Sequence, residues 1–97
     1  MAFRINYDKV IQQANSISDN ATNLTSQLNI LSQVEQDIRT GWKGEAADVF
    51  RIKLSALKEN ISKTRNDILK LSSMIKYCAE QVRRVEEQET RNAGKLK

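Results

Sequence analysis

The side chains that usually carry chemistry are nearly missing from this chain. It has no histidine and one cysteine, Cys78. Serine and threonine are plentiful, but without an imidazole to take the proton an ordinary hydrolytic triad cannot be assembled. One thiol cannot close an internal disulfide, and without histidine it cannot complete a zinc site. No catalytic residue, cofactor site or metal site is therefore expected. Cys78 falls on an apolar helix row, where a thiol behaves as a small apolar group rather than a redox centre.

Charge offers a second kind of chemistry, the capture of anions. The net charge is +4. It is uneven: residues 1–40 hold three basic and four acidic side chains, a net of −1, and the remainder holds 13 and 8, a net of +5. A basic second half can attract nucleic acid, an anionic membrane or an acidic partner. The cations Arg51, Lys53, Lys58, Lys63, Arg65, Lys70, Lys76, Arg83 and Arg84 fall on several helix faces with acids between them. No aromatic platform accompanies them, so a nucleic-acid-binding coiled coil is the remote reading and a solvated helix surface the plain one. No apolar run approaches the roughly 20 residues of a membrane span. Stable membrane insertion is not expected. Nor does the start, Met1-Ala2-Phe3-Arg4-Ile5-Asn6, look like a cleavable signal peptide.

The elements that position these residues follow from periodicity. Phe3, Tyr7, Val10, Ala14, Ile17, Ala21, Leu24, Leu28 and Leu31 recur at alternating steps of four and three, and the phase then slips to Val34 and Ile38. In the second half Ala47, Phe50, Leu54, Leu57, Ile61, Thr64, Ile68, Leu71, Ile75, Cys78, Val82 and Val85 continue the same rhythm. This is the seam of heptad helices. Thr64 is its one polar member, either setting register or bonding its own helix. With no proline and three glycines, little forces the chain to turn. The chain is expected to be all-α, a single domain over residues 1–97, folded as an antiparallel helix-turn-helix hairpin. Helix 1 should span about 7–40, the turn 41–44, helix 2 about 45–88, with a flexible tail at 89–97.

The ends carry their own signals. Asn6 is placed as an N-cap, flanked by Ile5 and Val10 in a hydrophobic staple. Asp8, Glu45 and Asp48 put negative charge in first turns. Gly41 is expected to stop helix 1 in a left-handed conformation. In the turn Thr40-Gly41-Trp42-Lys43-Gly44-Glu45-Ala46, the indole is large enough to plug the open end of a core. Gly44 would let the backbone pass close to the ring and begin helix 2. Tyr77 should pack beside the seam, and Arg83 and Arg84 could serve either a helix terminus or an acidic partner. Two helices make a thin core. Ile11, Val34, Met74 and Ala79 widen the stripe, so a second hairpin completing a four-helix bundle is expected, as a homodimer or a heterodimer. The dimer or core seam is assigned to Val10, Ile17, Leu24, Leu28, Leu31, Phe50, Leu54, Leu57, Ile61, Ile68, Leu71 and Ile75.

With Trp42-Lys43-Gly44 at the middle of two heptad arrays, followed by Ala46, Ala47 and Phe50, the whole chain resembles the ESAT-like WXG family of small proteins exported by type VII secretion systems. The resemblance implies a non-enzymatic substrate or co-substrate. Such a protein is made in the bacterial cytoplasm, exported folded as a helical dimer without a cleavable signal peptide, and handled by the secretion ATPase. Trp42 and Gly44 would form part of the export signal. It alternatively implies a dedicated targeting partner of a larger LXG-type toxin. The family's late Tyr-x-x-x-Asp/Glu signal is incomplete here. Tyr77 is followed at the fourth position by Gln81, and where the aromatic is due the chain reads Val82-Arg83-Arg84-Val85-Glu86. Val82 and Glu86 are thus a degenerate form of that signal, completed either by a partner or by the surrounding surface.

Overall fold

The computed structural model describes residues 5–95. Two α-helices, α1 (Tyr7–Gly41) and α2 (Glu45–Lys95), lie antiparallel in a rod measuring 81 × 16 × 15 Å. Phe3, expected at the head of the first seam, lies outside the described residues.

Helix α1 begins as its sequence dictates. The Asn6 side chain accepts a hydrogen bond from the Lys9 amide at 3.2 Å, satisfying one of the free donors of the first turn, and Asp8 sits beside it. Its end differs from expectation. Gly41 is the last helical residue, and the only residue with positive φ among those described is Gly44, at 114°. The stop is made by Trp42, whose backbone is extended and whose amide donates to the Ile38 carbonyl at 2.8 Å. Three residues, Trp42, Lys43 and Gly44, form the whole connection.

Helix α2 opens with Glu45 and Asp48 in its first turn, the Asp48 amide donating to the Gly44 carbonyl. It runs to Lys95, past the end expected near Gln88. Nothing between Gln88 and Gly94 breaks a helix, and the Thr90 hydroxyl bonds the Glu86 carbonyl at 3.0 Å. Apolar period is lost there because α1 no longer lies opposite, and helix formation does not require it.

The buried apolar residues are Ala14, Ala21, Ala47, Leu54 and Ala79, and no large side chain is fully buried among the described residues. Small side chains at these buried positions leave little volume to fill between the helices. The seam assigned to α2 therefore divides into two rows. Leu54, Ile61, Ile68 and Ile75 turn toward α1 and are buried or half-buried, whereas Phe50, Leu57, Leu71, Cys78 and Val85 are exposed. The reason is angular. At about 100° per residue, position i+3 lies about 60° to one side of i and position i+4 about 40° to the other. Here α1 sits over the i and i+4 rows. The i+4 row is Arg51, Lys58, Arg65, Ser72, Ala79 and Glu86, every seventh residue. On α1 the assigned residues Val10, Ile17, Leu24, Leu28 and Leu31 are all half-buried.

The i+4 row supplies polar rungs between the helices. Lys58 meets Glu35 at 3.0 Å, Arg65 reaches the Thr25 hydroxyl at 3.5 Å, and the Ser72 hydroxyl donates to the Ala14 carbonyl at 2.7 Å. Nearer the open end the Tyr7 hydroxyl donates to Glu80 at 3.0 Å. The slip of the first seam at Val34 now has a cause: Glu35, not Val34, continues the inward row in order to meet Lys58, and Val34 is exposed.

Candidate interaction surface at the bend and along the open face

The bend presents its aromatics outward. Trp42 is 57% exposed and its ring meets Phe50 edge-on, with centroids 5.9 Å apart and planes at 78°. The indole does not plug a core end: more than half of it is open to solvent. It stands with Phe50 as an apolar ridge. Nor does Gly44 make room for the ring: a Cβ added there would meet nothing within 4 Å. Glycine is needed at position 44 for its positive φ, which side-chain-bearing residues adopt only with strain.

The ridge continues into the uncovered row of α2. Phe50, Leu57 and Leu71 are 45%, 48% and 49% exposed, and Met74, Val82 and Val85 are exposed with them. The row turns to the same side of the hairpin as Val10 of α1. There Ile5, Val10, Leu71, Met74, Cys78 and Val82 line a groove of about 300 Å³ with wholly apolar walls. Of the residues expected to widen the stripe, Ala79 is buried and Ile11 half-buried, while Val34 and Met74 lie open. Tyr77, expected to pack, is exposed.

At the far end the degenerate signal residues sit in different states. Val82 is exposed, whereas Glu86 accepts a hydrogen bond from the Ile5 amide at 2.7 Å. The neighbouring charges form one clasp between the helices. Arg83 lies over the Tyr7 ring at 4.3 Å and bonds Glu80 at 2.8 Å, and Arg84 reaches Glu80 at 3.5 Å. Hydrogen bonds from Arg83 and then Tyr7 hold the Glu80 carboxyl below the usual carboxylate range, and the bond to Glu80 raises the Tyr7 phenol above its ordinary value. Glu35 is lowered by its bond from Lys58. Arg83 and Arg84 thus have partners within the chain, and a helix terminus does not employ them, since α2 continues to Lys95. The clasp and the Ser72 rung were not anticipated. The Ser72 rung had its signal in the row of small and charged residues at every seventh position, which apolar periodicity passes over; Glu80, Arg83 and Arg84 of the clasp lie off that row.

Among the described residues no group of histidine, cysteine or acidic side chains could hold a metal ion, and no helix is long and apolar enough to cross a membrane. What the site offers is a two-helix rod whose Trp-x-Gly tripeptide is the entire bend, with its tryptophan turned outward. The family model described as proteins of 100 residues with WXG matches residues 2–89. The chain belongs to the WXG100 family. That family comprises small helical proteins associated with type VII secretion, secreted and not known as enzymes. No curated protein and no solved structure matches the chain. For this WXG100 chain the hairpin is therefore both the expected fold of the family and the one observed.

Proposed function

We propose that this WXG100 protein is a non-enzymatic substrate or co-substrate of a type VII secretion system. It is exported folded, as a dimer of hairpins, with Trp42 and Gly44 forming part of its export signal. The observation that carries this reading is the outward Trp42–Phe50 ridge at a bend set by Gly44. An exposed indole adds little to the hairpin's own stability and is free to meet the secretion ATPase. Trp42→Ala tests it in a host carrying the cognate system. Export should stop while the purified variant keeps its helical content, and normal export would exclude the signal role.

A second reading, a dedicated partner of a larger LXG-type toxin, is supported by the state of the late signal. Valine stands where an aromatic is due, and Glu86 is bonded to the Ile5 amide. A partner would then complete the signal. In this reading the chain alone is weakly associated in solution and binds tightly to the toxin's N-terminal helical domain. A self-sufficient homodimer by light scattering argues for the first reading over this one.

A further inference from the structure

Ile5 engages both members of the Val82 and Glu86 pair. Its amide donates to the Glu86 carboxylate at 2.7 Å, and together with Val82 it lines the apolar groove of about 300 Å³. Val82 and Glu86 are four residues apart on α2 and so share one helix face. That face is not free in the folded hairpin. Its carboxylate is half-buried and already holds a donor, and its aliphatic member shares a groove wall with the residue that supplies that donor.

The contact is placed so that it opens without unwinding a helix. Helix α1 begins at Tyr7, and Asn6 caps it by accepting from the Lys9 amide. The Val10 amide donates to the Asn6 carbonyl, so Ile5 lies outside the helical ladder and leaves Glu86 without breaking it. Two residues further on, the chain is fixed. The Tyr7 hydroxyl donates to Glu80 at 3.0 Å, and Arg83 lies over the Tyr7 ring at 4.3 Å. A post at Tyr7 with a releasable contact at Ile5 is the construction of a strap.

Resting on the reading of Val82 and Glu86 as part of a late export signal, we infer that Ile5 is an autoinhibitory strap over that pair. The pair is read only when another chain takes the place of Ile5. The chemistry of that chain follows from what Ile5 supplies: an N–H donor for the carboxylate and, beside it, an aliphatic side chain for the groove. A hydrogen bond to an ionised acceptor is among the stronger ones, and a chain without the donor leaves Glu86 unpaired and does not displace the strap.

Amide exchange followed by NMR on the full-length chain reads the strap, and export in a host carrying the cognate system reads its consequence. In the wild type the Ile5 amide should exchange about tenfold more slowly than an unprotected amide, and Glu86→Ala should abolish that protection. An Ile5 amide unprotected in the wild type, or equally protected in Glu86→Ala, would overturn the strap. Ile5→Pro removes the donor ahead of the helix, where proline breaks no helical bond. Its export should exceed wild type, export of Glu86→Ala should fall below it, and the double variant should behave as Glu86→Ala alone. Ile5→Ala keeps the donor and loses the groove contact, so its export should lie between wild type and Ile5→Pro. Ile5→Pro exported at or below the wild-type rate with its helical content intact would overturn the gating. If Ile5→Pro loses helical content, Ile5→Ala decides in its place, and export at or below wild type overturns the gating there too. Unchanged export of Glu86→Ala would remove Glu86 from the signal and the gating with it. Export of Trp42→Ala tests the secretion reading separately.

Discussion

The Ser72 hydroxyl donates a 2.7 Å hydrogen bond to the carbonyl of Ala14, linking residues 58 positions apart across the two helices. Ser72 is 2% exposed and Ala14 is fully buried, so the bond is shielded from water between the helices. Ser72→Ala should lower stability by about 1 kcal/mol, the net worth of one such bond. Ser72→Leu should cost about 1–3 kcal/mol by forcing the helices apart. Thermal melts followed by circular dichroism read both.

The two glycines of the turn should answer alanine with opposite signs. Gly41 is helical with open space where a Cβ would go, so Gly41→Ala should stabilise by about 0.5–1 kcal/mol. Gly44 has equal space but φ of 114°, so Gly44→Ala should destabilise by about 1–3 kcal/mol. Urea titrations of the two variants would show midpoints shifted in opposite directions.

Leu54 and Leu57 are one helical turn apart and belong to different surfaces. Leu54 is buried against α1, and Leu54→Ala should cost about 2 kcal/mol or more in the single hairpin. Leu57 is half-exposed, so Leu57→Ala should leave the hairpin's helicity nearly unchanged at low concentration while weakening self-association. Melting temperature measured across a dilution series distinguishes the two effects.

Acid should loosen the hairpin through Glu35 and Glu80. Both carboxyls are held below their ordinary range, by Lys58 and by Arg83 with Tyr7. A depressed folded value means that the unfolded chain takes up protons first as pH falls. The stabilisation is present above the ordinary glutamate range and is lost on descending through the folded values. Tyr7 works at the other extreme. Its raised value means that its contribution is complete below the ordinary phenol range and is lost as pH rises through the folded value. Glu35→Gln and Glu80→Gln should each flatten the acid limb of the melting temperature against pH, by a modest amount because both sites are wet.

The alternation of threes and fours from Tyr7 to Val85 was enough to require two long helices. Asn6, Asp8 and the Trp42–Gly44 tripeptide were enough to place the start of the first helix and the bend between the two. The exclusion of ordinary hydrolytic chemistry needed only the missing histidine. These properties are local: capping and periodicity depend on neighbours within a turn or two. Which half of the α2 stripe faces α1 is not local. Placing α1 over Leu54, Ile61, Ile68 and Ile75 rather than over Phe50, Leu57 and Leu71 was decided by Ser72 on Ala14, Lys58 on Glu35 and the Tyr7–Glu80–Arg83 clasp, contacts that exist only once the chain has folded back on itself. The outward tryptophan follows from the same choice. The ring rests edge-on against Phe50 outside the core, and residue types alone do not reveal that before the helices are set side by side.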